Sequence, residues 1–520
     1  LKLSPLFTLE KRIDLVEWTR SIRFSNVKRG DNLRLSISSE RLTGREQLST
    51  SLTPNDSNII NILEKVIPIH SNNAEEIDCL YNYYKGDQDI YNRVKTVRPE
   101  INNKIVENHA YEIVEFKTGF TFGEPVQYVQ RTREKKDGSG EVIESSMVSD
   151  LNELMFINDK ASKDRELGEW MFIAGTAYRM ALPSNAEYED YSPFIIDTLD
   201  PRNTFVVYST GFGKHPVLGG MIYEIDTEDD LTKKTRISVY SKDRYWEIDW
   251  DDLEDGKKII KSEKHVLGHI PIIEYPANPS RLGVFEPVMG LLDALNKVAS
   301  NRLDGIEQFV QSIMKFINCD VDETEIKALS ELGAIKVSST EGRQADVEIL
   351  SSELDQQQTQ TYVDYIYQTI LTITGVPDRR ASAGGNTGQA LIVGQGWANA
   401  ESRAIATELM FKRSETRFLK LILRILEDHD EYDLEGIRLS DIDVKFTRNK
   451  TDNLLVKTQG LQNMLEAGIN PRTAIEVSGL FSDPEQVFVD SLEYLERWKN
   501  VTREEVETHP NNKENPIDIY

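Results

Sequence analysis

Apolar residues step through the second half of this chain at intervals of three and four, over lengths that few folds can use. Between Pro287 and Asn318 they fall at Leu291, Leu295, Ala299, Leu303, Ile306, Val310, Ile313 and Ile317. A second set, Val363, Ile366, Tyr367, Ile370 and Leu371, marks a helix from about 354 to 374 that Gly375, Val376 and Pro377 stop. The third and longest pattern runs from about 388 to 427 through Trp397, Ala400, Ala404, Thr407, Phe411, Ser414, Phe418, Ile422 and Ile425, with Gly394 and Gly396 near its start as expected kink points. A helix over 287–318 would span about 48 Å. Between the first two helices lies only a small module, 319–352, that reads as short helix, strand, turn, strand. Two long helices joined by a compact module suit a projecting hairpin better than an enzyme core.

The rest of the chain is mixed. Residues 1–55 lack sustained periodicity and are expected to be a flexible arm. A helix is expected from Asn58, then a short one over 75–84 that Gly86 stops, then one whose apolar positions are 105, 106, 110, 113, 114 and 116, ended by Gly119. FTFGEPVQYVQ (120–130) reads as strand, turn, strand, and 135–144 as a polar hairpin tip. Helices resume over 148–182. Over 193–275, short β-branched and aromatic runs separated by turns predict a mostly antiparallel β region. Strand alternation returns over 437–448, and 451–498 reads as two or three short helices broken at Asn470-Pro471 and Asp483-Pro484. The tail, 499–520, is expected to be disordered. The fold class is α+β, mainly helical.

Charge restricts the partners. The 520 residues hold 61 Lys and Arg against 87 Asp and Glu, a net −26, so a surface that grips DNA tightly is not expected. The first 50 residues hold ten basic and six acidic side chains, +4, leaving −30 for the other 470. That basic arm is either a solvated tail or a segment that docks on an acidic neighbour. Two distant cysteines, Cys79 and Cys319, exclude a disulfide framework. No apolar run approaches 18 residues and the first 18 residues lack the features of a secretory signal, so a soluble protein made in a reducing cytoplasm is expected.

The motifs of catalysis are missing. There is no phosphate-binding G-x-x-x-x-G-K-[ST], no dinucleotide fingerprint, no H-E-x-x-H and no G-x-S-x-G. STGFGKHP (209–216) has the wrong spacing and reads as a turn, and His265 with His269 sits among strand residues. No cofactor or metal is expected.

Five segments carry a resemblance: YYKGDQDIYNR (83–93) with NNKIVENHAYEIVEFKTGFTFGEPVQY (102–128); GEWMFIAGTAYRMAL (168–182); TLDPRNTFVVYST (198–210); HIPIIEYPANPSRLGVFEPVMGLLDALNKVAS (269–300); and ITGVPD (373–378) followed by GGNTGQAL (384–391). In this order and spacing the chain resembles the portal proteins of tailed double-stranded DNA bacteriophages, in particular those of long-tailed phages of Gram-positive hosts. The likeness covers about 80–450.

The resemblance implies a portal fold closed into a ring, commonly a dodecamer, at one vertex of the capsid. It implies a wing (56–285, with the return strand 437–448), stem helices (286–318 and 353–375), a clip (319–352), a tunnel loop (376–389), a long wing helix with the return strand (390–450) and a crown (451–498). It implies no catalysis. The partners it implies are the terminase large subunit, a head–tail connector or adaptor, major capsid and scaffolding proteins, and double-stranded DNA passing through the channel, with no membrane. The location it implies is the virion, and the host cytoplasm during assembly. On that reading Arg379, Arg380, Gly384, Gly385, Asn386 and Thr387 form the DNA-channel loop, its arginines touching phosphate or simply solvated. Glu323, Glu325, Lys336, Glu341 and Arg343 would lie on the docking face for motor and connector, or on ordinary polar surface. Gly394 and Gly396 would be hinges. Trp397 is read as core at a subunit contact, and Arg403, Lys412, Arg413, Arg417, Lys420 and Arg424 of the last long helix as intersubunit salt-bridge partners. The alternatives are another ring-forming connector or baseplate virion protein and, less favoured, a phage DNA-processing enzyme.

Overall fold

The computed structural model describes residues 44–96, 98–131, 147–184, 192–226, 233–250, 257–310, 313–317, 319–320, 338–339, 346–350, 356–378, 396–427, 438–448, 454–481, 487–488 and 490–492. Residues 1–43, the expected hairpin tip 135–144 and the expected tail 499–520 lie outside them.

The chain opens with β1 (Ser49–Thr50), α1 (Ile59–Tyr84), α2 (His109–Phe122), β2 (Gln127–Gln130), α3 (Met147–Ile157) and α4 (Lys160–Ala174). Eight strands follow: β3 (Thr176–Pro183), β4 (Phe194–Leu199), β5 (Thr204–Ser209), β6 (Pro216–Asp226), β7 (Lys233–Tyr240), β8 (Arg244–Asp249), β9 (Lys258–Lys264) and β10 (Ile272–Pro276). A 3-10 turn at Glu286–Val288 carries Pro287 into α5 (Met289–Val310). Then come β11 (Ile313–Ile317), β12 (Cys319–Asp320), β13 (Ser338–Ser339), β14 (Asp346–Leu350), α6 (Gln356–Thr374), α7 (Trp397–Glu427), β15 (Ile442–Lys445), α8 (Leu454–Glu466) and α9 (Pro471–Ser478). The fold class is mixed α+β, and the longest described helix, α7, lies in the second half.

Two sheets build the β region. One has the order β1-β5-β6-β7-β8-β9, antiparallel except for the short parallel pairing of β1 with β5, and the other is β10-β3-β4. The turn at 210–215 joins β5 to β6, where STGFGKHP suggested one. The long sheet packs on α1 through Ile59, Ile62, Leu63 and Val66 against Phe205, Val207, Leu218, Ile237, Val239 and Trp246. The larger core gathers α2, α4, α5, α6 and α7 around the short sheet, with Phe172, Tyr275, Phe285, Phe411 and Phe418 among its fully buried side chains. β15 returns to pair antiparallel with β2.

Several expected boundaries move. The arm expected over 1–55 is part of the fold from Gly44 onward: Arg45 is buried against Glu286 at 2.9 Å and Glu76 at 3.0 Å, and Leu48 enters the α1 core. Its polar composition concealed a neutralised charge. The two helices expected over 58–84 are one, because a continuous buried face from Ile59 to Leu80 carries it through Pro68 despite a cost of about 3 kcal/mol for interior proline. The helix placed over 105–116 instead runs from His109 through Gly119 to Phe122, so 120–122 is not a strand; Phe116, Phe120 and Phe122 pack on neighbouring aromatic rings there. The helices expected over 148–182 end at Ala174, where Gly175 takes a left-handed conformation (φ 77°) and turns the chain into β3. The helix expected over 286–318 stops at Val310. Residues Ile313–Ile317 pair antiparallel with Asp346–Leu350, setting Lys315 opposite Glu348, a ladder that no local period foretells.

A polar seam fixes α5. Asn296, Ser300 and Asp304, one turn apart and buried, accept the backbone N–H groups of Glu107 (2.8 Å), Ile105 (2.9 Å) and Asn103 (2.8 Å). The stretch before α2 is therefore an extended strap laid against the helix. Arg93 and Lys95 clamp its far end, at 2.8 and 3.0 Å from the Asp304 carboxylate. Asp293, also in the quoted motif, accepts the Tyr83 hydroxyl at 2.8 Å.

Candidate functional site

Two excursions leave this scaffold. The first lies between α6 and α7. Gly375 (φ 71°) ends α6, and its N–H and that of Val376 donate to the Leu371 carbonyl at 2.8 and 3.1 Å. A Cβ on Gly375 would lie 2.4 Å from the Arg403 Cδ of α7. One on Gly396, just before α7, would lie 3.8 Å from the Pro377 Cα. The chain thus leaves and returns at one place. Arg379, Arg380, Gly384, Gly385, Asn386, Thr387 and Gly394 belong to the span between and lie outside the described residues. Gly396 is described: it sits at the mouth of α7 with φ 83°, its carbonyl accepting the N–H groups of Asn399 and Ala400, and not inside a helix.

The second excursion rises from the α5–α6 hairpin. β12 pairs with β13 (Cys319 opposite Ser339), and β11 pairs with β14. Glu323, Glu325, Lys336, Glu341 and Arg343 fall between these strands and also lie outside the described residues.

The base of the first excursion is aromatic. Trp397 packs within its own chain on Phe116 and Phe120, each 6.0 Å between ring centroids. Arg448 lies 5.7 Å over Phe120 and pairs with Glu401 and Glu408 of α7.

Beneath α7 four buried charges meet. Lys160 Nζ is 2.6 Å from Asp164 and 3.0 Å from Glu415; Arg179 bonds Asp164 and stands 3.4 Å from Glu415. The hydroxyls of Tyr128 and Tyr275 each donate to Glu415 at 2.6 Å. Burial raises the Glu415 pKa, but Lys160, Arg179 and the two phenols outweigh it and hold the carboxyl below its ordinary range. This cluster joins α4, β2, β3 and β10 to α7. Sequence reading did not single it out; its signal was Arg179, a charge inside the apolar run TAYRMALP.

His109 links α2 to α6. It lies 2.8 Å from Glu112 and 3.2 Å from Glu107, and its ring packs 4.9 Å from that of Tyr367. Burial lowers its pKa, yet the two carboxylates prevail and lift it to about 9. A raised folded-state pKa stabilises fully below the unfolded value near 6.5 and loses that contribution as pH rises through 9. His109→Gln should therefore cost on the order of 1–2 kcal/mol at pH 6, after allowance for a side chain that still sees solvent, and almost nothing at pH 10. Chemical denaturation of both chains at the two pH values measures it; an equal loss at both would refute the linkage.

Among the described residues no helix is long and apolar enough to cross a membrane, and no group of His, Cys, Asp and Glu could hold a metal ion.

The sequence pattern of the family described as "Phage portal protein, SPP1 Gp6-like" matches residues 63–508. The chain belongs to the phage portal protein family. Portal proteins are structural components of the virion, not enzymes, and a portal role follows from the match over most of the chain. A search of curated proteins finds no match. Among solved structures, one chain from the neck of an empty GTA particle, computed with C6 symmetry, aligns at a TM-score of 0.42 and 14% identity, over 72% of this chain and 90% of that one.

Proposed function

We propose that this portal protein assembles as a closed ring, commonly of twelve copies, that forms the DNA conduit at one capsid vertex. The carrying observation is the α5–α6 hairpin, capped at one end by the β11–β14 pairing and rooted at the other beside the excursion between α6 and α7. On this reading residues 56–285 with the return strand 437–448 are the wing, 286–318 and 353–375 the stem, 319–352 the clip and 451–498 the crown. The excursion holds the tunnel loop. Arg379 and Arg380 meet phosphate transiently, and Gly384 and Gly385 let the loop move. The clip, through Glu323, Glu325, Lys336, Glu341 and Arg343, receives the terminase during packaging in the host cytoplasm and the head–tail connector afterwards; capsid and scaffolding proteins surround the ring.

Exposed apolar side chains support assembly. Tyr362, Tyr365 and Ile373 of α6, Ile306 of α5, and Ile405 and Leu409 of α7 stand in solvent in the single chain, with Tyr365 67% exposed. A ring buries such side chains between copies that meet head to tail. The acidic balance fits passage of DNA without a brake.

Native mass spectrometry tests the ring: 12 × 59.4 kDa is about 713 kDa. A closed assembly near that mass is expected. A chain that remains monomeric at high concentration and also with scaffolding and capsid proteins present overturns it.

A further inference from the structure

Residues 44–50 close over a small cavity. Arg45 donates to the Ala174 carbonyl at 3.3 Å and to the Glu286 carboxylate at 2.9 Å, and its backbone N–H donates to the Arg281 carbonyl at 3.3 Å. Glu46 and Asn73 of α1 exchange two bonds: the Glu46 N–H donates to Oδ1 at 2.8 Å, and Nδ2 donates to the Glu46 carbonyl at 2.9 Å. The Leu48 carbonyl accepts the Tyr208 N–H at 2.9 Å, where β1 joins β5. This clasp ties 44–50 to α1, to the long sheet and to the approach to α5.

The cavity beneath it measures about 10 Å³, and Arg45, His70, Asn73, Thr176, Tyr178 and Glu274 are among the residues that line it. That is room for one water. His70 is only 3% exposed, and its imidazole packs 5.2 Å from the Phe205 ring. Among the described residues its Nε2 has no hydrogen-bond partner. Its other nitrogen meets the Arg202 carbonyl, which holds a proton on Nδ1 and leaves Nε2 a lone-pair acceptor. Burial outweighs that bond and lowers the pKa to about 4, so the imidazole is neutral near pH 7. The Arg45 Nε–H is a buried donor that also makes no hydrogen bond among the described residues, although Glu76 stands 3.0 Å away.

We infer that this cavity binds one water molecule, which accepts from Arg45 Nε, donates to His70 Nε2 and so completes the clasp. The chemistry of the two atoms selects the ligand. An ammonium ion cannot accept from a guanidinium, an anion cannot donate to an imidazole lone pair, and water does both. A buried water takes about two to four polar partners, and Thr176 and Tyr178 line the same wall for its remaining bonds. The inference is independent of the ring reading, because every residue in it belongs to one chain.

Two variants and a map test it. His70→Phe keeps an aromatic ring against Phe205 and removes the acceptor; His70→Gln keeps an acceptor. Trypsin cuts after Arg45 only when the clasp opens, and peptide mass spectrometry reads that cut. Cleavage there should be about tenfold faster in H70F than in the wild type, and within about twofold of the wild type in H70Q. A cryo-EM map of the wild-type protein that resolves ordered waters should show one about 2.7–3.2 Å from both His70 Nε2 and Arg45 Nε. Equal cleavage in H70F and H70Q, or a wild-type map with no density between the two nitrogens, overturns the inference. The map decides it even where H70F fails to fold.

Discussion

Glu415→Gln lowers the stability of the chain by about 3–5 kcal/mol, the range for breaking one partner out of a buried ion cluster. The wild-type site is balanced: Lys160 and Arg179 against Asp164 and Glu415, all buried, with Tyr128 and Tyr275 donating to the last of them. Glutamine keeps the shape and removes the charge, leaving two cations against one carboxylate where water cannot compensate. The midpoint of chemical denaturation should fall sharply. A companion variant separates charge balance from packing: replacing Lys160, Asp164, Arg179 and Glu415 together by Met, Leu, Met and Leu removes the cluster's four charges, leaves only the Tyr128 and Tyr275 hydroxyls without their acceptor, and should recover much of the loss. A Glu415→Gln chain as stable as wild type would show that the cluster is not closed to solvent. The sign for acid follows. A carboxyl held below its ordinary pKa stabilises above the unfolded value near 4.3 and loses that contribution as pH falls below it, so Glu415→Gln should be least costly in acid.

Gly175→Ala should cost on the order of 3 kcal/mol or more, from two terms that add. Gly175 ends α4 at φ 77°, a conformation that costs an L-residue about 1–2 kcal/mol. Its missing side chain also faces backbone: a Cβ would stand 2.1 Å from the Arg281 carbonyl oxygen and 2.4 Å from its carbon. Neither atom can swing aside as a side chain does. The displaced stretch leads into α5 and carries Arg281, whose guanidinium is 2.6 Å from Glu274. Gly268→Ala is the control, since Gly268 is also left-handed (φ 65°) but open to space. It should lose only the conformational term. Equal losses for the two variants would show that the Arg281 approach relaxes freely.

What the sequence made legible follows from which interactions are local. The stripe from Val363 to Leu371 and the one from Trp397 to Ile425 repeat at the helical period, and both helices stand where that period puts them. The β-branched runs between 193 and 275 alternate as strands do, and they are strands. Misreadings arise where a distant partner decides. Ile313 and Ile317 are four apart and extend the helical count of α5, yet residues 346–350 claim that segment as a strand. TAYRMAL counts with the helix before it in the sequence, but Gly175 reverses the backbone ahead of it and makes it a strand. Arg45, Lys160, Arg179 and Glu415 look like surface residues one at a time; only the fold gives each its opposite charge. The quoted motif around Asp293 and Asn296 was visible, but its role in holding the strap was not, because the partners lie about 200 positions earlier. The candidate channel, docking and hinge residues themselves lie outside the described segments, apart from the hinge candidate Gly396.

The strap on α5 has a mechanical consequence. Its bonded donors sit two residues apart in extended chain, about 6.6 Å, and its acceptors four apart in helix, about 6.0 Å, so the two spacings stay nearly commensurate over three rungs. Residues 103, 105 and 107 meet 304, 300 and 296 in reverse order, so the strap runs along the helix axis and its bonds cross between the two. A pull along that axis loads them in parallel, and none yields until all are strained; a pull that peels the strap from one end meets them in sequence. Sliding by one strap residue would turn every donor away from its acceptor, and sliding by two would strand Asp304 from the cations that hold it. The contact between strap and helix is thereby stiff to shear along the axis and weak to peeling, an anisotropy set by the three amides of Asn103, Ile105 and Glu107.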